Sequence, residues 1–173
     1  HNNVTDYSSP VQIPGTTWDN VVTSTHQTAA IKTDGTLWAW GHNSAGGLGL
    51  NQGSYPVTSI SSPTQIPGTT WANIDAGDEG TIAVKTDGTL WVWGANGTGQ
   101  LGQNQAEAQR GAISSPTQIP GTTWNTVSTP GLKNGIFVSK TDGTAWAWGR
   151  NYQGALGVND TTDRSSPVQV PGT

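Results

Sequence analysis

The chain contains no cysteine, no methionine, a single phenylalanine and few charges of either sign. Without cysteine there is no disulfide staple, no thiol chemistry and no cysteine-ligated zinc. That absence leaves the compartment open. Charged residues are 10% of the sequence, against a usual ~25%, and the seven Lys and Arg are scattered singly in a chain of net charge −4. A nucleic-acid or anionic-membrane surface needs clustered basic charge, so neither is expected as a partner. Long hydrophobic runs are also missing. Nothing approaches the ~18 apolar residues of a membrane span, so no membrane insertion is expected, and no signal peptide is visible. The sequence opens at His1 without an initiator methionine, and an upstream segment is therefore expected to have been removed or left out. No stretch shows sustained helical periodicity with caps.

What is present is repetition. Lys85-Thr-Asp-Gly-Thr-Leu-Trp-Val-Trp-Gly94 occurs almost unchanged at 32–41 and 140–149. Asp-Gly between two short apolar runs is a strong hairpin signal, because both turn residues take positive φ at little cost. In the strand that follows, Trp38 and Trp40 share one face while Leu37, Ala39 and Gly41 share the other. Large rings on one face and small residues on the other suit a sheet covered on both sides, with the next copy as its neighbour. The tryptophans are therefore read as packing between repeats, with a sugar- or base-stacking platform as the alternative.

A second segment, Ser9-Pro-Val-Gln-Ile-Pro-Gly-Thr-Thr-Trp18, recurs at 62–71 and 115–124, and in part at 166–173. Its leading prolines (Pro10, Pro63, Pro116, Pro167) lie 53, 53 and 51 residues apart. Two prolines cannot donate to a ladder, so the segment is expected as an edge strand or rim piece, followed by a type II Pro-Gly turn. Further strands are expected at 18–23, 28–32 and their copies, with the Trp-x-Trp-Gly strand fourth. The Asn43-x-x-Gly-Gly-Leu-Gly49 loop and its matches at 96–102 and 151–157 lack the lysine and following helix of a phosphate site. Taken from these signals, the chain is one repeat domain, 1–173, divided as 1–49, 50–102, 103–157 and the start of a fourth repeat at 158–173. The loops 50–60, 103–113 and 158–164 are the least alike, the second holding Glu107 and Arg110; they read as the place for specificity or as drift on a solvated rim.

Four short strands per ~53 residues, with aromatic and glycine signatures, predict an all-β fold of propeller blades. The pattern Trp-x-x-Val…Ala-x-Lys-Thr-Asp-Gly-Thr-Leu-Trp-x-Trp-Gly-x-Asn-x-x-Gly-x-Leu-Gly resembles the regulator of chromosome condensation repeat over essentially the whole chain. It looks closest to the Trp-rich, Ser-Ser-Pro-x-Gln subtype of large secreted, surface and phage-encoded proteins. The resemblance implies a seven-bladed propeller without catalysis of its own. The family's Gly-x-x-His-Thr is not kept: the His position holds Gln27 and Gly80, His26 is displaced by one, and the third copy reads Gly131-Leu-Lys-Asn-Gly135. The interblade hydrogen bond of that His is thus put in doubt. Three units cannot close a ring, so either a longer chain or other subunits are expected to complete the assembly.

No catalytic residue, cofactor site or metal site is assigned, and the binding residues stay unassigned. His1, His26 and His42 sit at unrelated phases of the repeat, and Asp34, Asp87 and Asp142 are accounted for by their hairpins. Asn159, Asp160 and Asp163 make a loose calcium candidate without EF-hand spacing. Asn3, Asn96 and Asn159 open glycosylation sequons that composition alone explains. The expected function is a non-catalytic structural or interaction module of an extracellular, cell-surface or virion protein, such as a phage fibre or decoration component. Its partner would be protein, through self-assembly or neighbouring repeats of a longer chain, or a surface glycan. The alternatives are an intracellular regulator of the nucleotide-exchange or chromatin-adaptor type, and a secreted enzyme inhibitor.

Overall fold

The computed structural model describes residues 5–52, 59–77, 79–105, 111–129 and 135–172. His1, Asn3, Glu107, Arg110 and the Leu132–Asn134 segment lie outside them. Twelve strands are described, in three four-stranded antiparallel sheets. Blade 1 is β1 (Trp18–Thr23), β2 (Gln27–Lys32), β3 (Leu37–His42) and β4 (Ser59–Ile66). Blade 2 is β5 (Trp71–Gly77), β6 (Gly80–Lys85), β7 (Leu90–Gly94) and β8 (Ile113–Ile119). Blade 3 is β9 (Trp124–Ser128), β10 (Ile136–Lys140), β11 (Ala145–Gly149) and β12 (Arg164–Gln169). In each sheet the strands pair in sequence order. Among the described residues no helix is long and apolar enough to cross a membrane.

The blades run one strand out of phase with the repeat as read from its letters. The Ser-Ser-Pro segment is the last, edge strand of the preceding sheet, and the Trp-x-Trp-Gly strand is third in its sheet and not fourth. Residues 164–169, read as the opening of a fourth unit, close blade 3, while the first Ser-Pro copy, at 9–14, forms no strand. The edge placement of the prolines is as expected. Between Ala39↔Thr64 and Gly41↔Ile60 three residues of β4, ending in Pro63, stand opposite Trp40 alone, so the missing proline N–H falls in a bulge.

The hairpins differ in detail from the two-residue turn expected. Of each Asp-Gly pair only the glycine has positive φ (76°, 77° and 86°). Gly35 N–H bonds to Lys32 C=O at 2.9 Å and Lys32 N–H to Thr36 C=O at 2.9 Å. This is a three-residue loop, a turn closed by a left-handed glycine bulge. Asp takes the preceding position because its carboxylate ties down the next strand.

Among the described residues the buried apolar side chains gather in two clusters, each lying between neighbouring sheets. One joins Ile31, Leu37, Ala39, Leu48 and Ile66 of the blade 1 repeat to Trp71, Ile74 and Trp93 of blade 2. The other joins Val84, Leu90, Val92, Leu101 and Ile119 to Trp124, Ile136 and Trp148. The aliphatic face of one blade thus meets the indole face of the next, as the alternation along the strand requires. Such a unit buries its faces only through its neighbours.

Candidate functional site

Each seam is built from the same parts. Trp71 packs edge-on against Trp91 and Trp93 with ring centroids 6.2 and 6.0 Å away, and Trp124 does the same with Trp146 and Trp148 at 6.0 and 6.3 Å. The Lys85 ammonium stands 4.7 Å from the rings of both Trp71 and Trp91, and Lys140 stands 4.5 and 4.2 Å from Trp124 and Trp146. The last residue of β6 or β10 is therefore held between two indoles, a geometry that favours a cation on each ring face. The indole N–H groups of Trp71 and Trp124 are buried without an acceptor, so packing and the lysine on the ring face hold those rings.

Beside each cluster lies a solvent-open groove. At the first seam it measures about 450 Å³ and is lined by Asn51, Pro67, Trp71, Lys85, Trp91 and Pro116. At the second it measures about 400 Å³, lined by Asn104, Pro120, Trp124, Lys140, Trp146 and Pro167. These six positions are equivalent in the two repeats. Asn51 and Asn104 belong to the variable loops, so the segments read as carriers of specificity stand at the mouths of grooves made from the invariant parts of the repeat.

The hairpins contribute a polar relay that recurs in every blade. Asp34 Oδ1 accepts Thr36 N–H at 3.0 Å and Thr36 Oγ1–H at 2.7 Å, and Thr36 Oγ1 accepts the Trp38 indole N–H at 2.9 Å. The same chain runs Asp87–Thr89–Trp91 and Asp142–Thr144–Trp146. The threonine hydroxyl, followed by its backbone N–H, holds each aspartate below its usual carboxylate value. These carboxylates are occupied as structural acceptors, and in blades 2 and 3 the threonine they hold accepts from the tryptophan that lines a groove, Trp91 or Trp146.

Two arrangements escaped the sequence reading. Gln27 takes over as an interblade tie, its side-chain N–H groups reaching Gly77 and Gly80 C=O at 2.8 and 2.9 Å. An amide with two donors does what a histidine in that position cannot do alone. His26 and His42, unrelated in repeat phase, come together at 5.8 Å between ring centroids because His42 N–H pairs with His26 C=O across the end of blade 1.

The calcium candidate resolves into a loop brace. Asp160 pairs with Arg164 and accepts from Thr162 N–H, and Asp163 accepts from Asn151 N–H at 2.7 Å. Among the described residues no three His, Asp or Glu side chains come together as metal ligands. The Asn96 side chain of the second sequon is buried, its amide oxygen accepting Leu101 N–H at 3.0 Å, an acceptor role repeated by Asn43 and Asn151. Glycan attachment there is incompatible with the folded loop.

The regulator of chromosome condensation (RCC1) repeat is matched at residues 34–84, 87–129 and 142–173, and a second form of that repeat at 71–100. The ultraviolet-B receptor UVR8 of Arabidopsis thaliana is 29% identical over 150 residues, which cover 87% of this chain and 33% of the receptor. Among solved structures, Prp20p of Saccharomyces cerevisiae superposes with a TM-score of 0.79 at 18% identity, over 91% of this chain and 39% of that one. Human WBSCR16 superposes at 0.78 and 23% identity, over 95% and 43%. The chain spans well under half the length of these relatives.

Proposed function

This chain belongs to the regulator of chromosome condensation repeat family, and from that premise we propose that it is a non-catalytic docking module that holds a protein partner in the grooves over its seams. The carrying observation is that the same groove occurs twice, with tryptophan, lysine and proline at equivalent positions. Each groove offers what a protein segment needs: an apolar wall and one oriented cation whose position is set by two rings. Aromatic and proline-lined grooves take extended segments, with a few polar groups giving direction. The partner chemistry favoured is an extended stretch with acceptor groups, carboxylate or carbonyl, spaced to meet Lys85 and Lys140.

Prp20p is described by its binding properties to Gsp1p and histones, and UVR8 as a receptor. These descriptions support the class of protein-binding regulators over display on a virion or cell surface.

The test is quantitative capture with the wild-type chain and a Lys85→Ala/Lys140→Ala variant, each immobilised and exposed to the same lysate. The reading expects at least one protein to be lost with the variant and regained with Lys85→Arg/Lys140→Arg. Identical captured sets for all three would overturn the groove reading. A nucleotide-exchange assay with small GTPases separates simple docking from exchange; no acceleration is expected.

A further inference from the structure

We propose that His26 and His42 form a two-imidazole site for a divalent transition-metal ion of the copper, nickel or zinc class, at the end of blade 1 where β2 begins and β3 ends. Neither residue lines the grooves over the seams, so the proposal stands without that reading.

Its basis is a backbone junction that two blades share and a pair of side chains that only one of them has. His42 N–H bonds to His26 C=O at 2.8 Å in blade 1, and Ala95 N–H bonds to Glu79 C=O at 2.8 Å in blade 2. Glu79 and Ala95 hold the places of His26 and His42 in the repeat. The junction therefore closes without histidine, and the two imidazoles are an addition to it. They come from opposite strands at facing positions, next to the Gln27↔Gly41 pair, and this register sets their separation.

That separation suits chelation. Two imidazoles on one ion, each nitrogen about 2.0–2.1 Å from it, place their ring centroids roughly 5 Å apart. Here the centroids stand 5.8 Å apart with the planes tilted by 54°, so the rings are not stacked. Small rotations about the broad χ2 wells bring one nitrogen of each onto a shared ion. The backbone beneath them is fixed. Gln27, next to His26, is buried and tied to Gly77 and Gly80, and Asn43, next to His42, is buried and accepts from Leu48 N–H. Gly41 brings the two strands close, since a methyl carbon there would collide with His26 C=O. Ligands on such a frame are held near their binding geometry before the metal arrives.

Both histidines are exposed and, among the described residues, neither ring makes a hydrogen bond, so their nitrogens are open to a ligand. This end of the strands is accessible also in blades that have another in front. Glu79 and Ala95 are half-buried behind blade 1, and Arg150, the counterpart of His42 in blade 3, is exposed behind blade 2. Neutral imidazole suits copper, nickel and zinc, whereas magnesium and calcium take oxygen ligands. With two protein ligands the ion keeps open positions for water, and copper(II) is the ion held most tightly. Once bound, it clips residue 26 to residue 42 and stabilises blade 1 by mass action.

Copper(II) titrated into a His1→Ser chain tests this, because that substitution removes the one other imidazole. Electron spin-echo spectroscopy of the equimolar sample counts the imidazoles on the ion, and two are expected. His26→Gln and His42→Ala variants on the same background are each expected to leave one. Each is also expected to weaken binding roughly a hundredfold, since the second ligand acts at high effective concentration. The rise in unfolding temperature that copper(II) gives the parent, and nickel and zinc to a smaller degree, is expected to vanish with either variant. His42→Ala reproduces the alanine already present at Ala95 in blade 2, and circular dichroism checks that both variants are folded. One imidazole or none on the ion in the parent, unchanged affinity in the folded variants, or an equal temperature shift with magnesium would each overturn the proposal.

Discussion

Trp93 and Trp148 show how much one side-chain position can carry. Each is fully buried and each donates its N–H across a seam. Truncating a buried tryptophan costs about 3–5 kcal/mol. The lysines held between rings contribute about 0.5–1 kcal/mol apiece at such partly exposed sites. Packing of the indoles therefore dominates, and the cations orient what packing has placed. The aspartates of the relay act differently, since they are exposed and their effect appears only with pH. Their threonine hydrogen bonds lower the folded pKa below the ordinary 3.8. A carboxyl depressed in the folded state gives stability that is complete above its unfolded value and is lost as pH falls through the folded one. Thermal unfolding followed from neutral pH downward is thus expected to lose stability below about 3.8, and an Asp34→Asn/Asp87→Asn/Asp142→Asn variant to lose much less over that window. Acid limbs of equal depth in the two proteins would show that the relay is idle.

At the scale of the strand and turn, the hairpin glycines separate backbone conformation from seam contact. Gly88 and Gly143 have similar φ, 77° and 86°, but a methyl carbon at Gly88 would lie 2.8 Å from Thr123 N, whereas Gly143 has nothing within 4 Å. Both alanine substitutions pay the left-handed penalty of about 1–2 kcal/mol. Gly88→Ala also has to displace the next blade's backbone, and denaturant unfolding is expected to show it costlier than Gly143→Ala by about 1 kcal/mol or more. Equal losses would mean that the hairpin tip does not bear on its neighbour. The strands themselves were legible from alternation and turn letters, and Trp18–Thr23, Ile136–Lys140 and the Trp-x-Trp-Gly strands fall where those signals put them. What the letters could not supply is the phase of the blade. A periodic sequence looks the same wherever it is cut, and whether Ser-Ser-Pro opens one sheet or closes another depends on a pairing made across a loop. Gln27 puts the histidine's interblade bond in doubt when read as a letter, yet its amide makes a tie of its own to Gly77 and Gly80, which only the neighbouring blade's backbone reveals.

At the largest scale the described residues form three leaves joined by two seams. Stability in such an array is a sum of unit and neighbour terms. Blade 2, covered on both sides, is the unit expected to open last, and the grooves on its flanks sit where the stack is firmest. The candidate site was legible only in its materials: the tryptophans, lysines and prolines stand out as repeated letters, but the grooves form only where β4 leads into β5 and β8 into β9, from one blade to the next. The central claim, that the recurring indoles bind one leaf to another, is tested most directly by hydrogen exchange of the indole N–H groups in dilute solution. The account predicts Trp93 and Trp148 protected roughly a thousandfold more than Trp40, as bonds broken only by parting of the blades would be. Equal and rapid exchange at all three would contradict it.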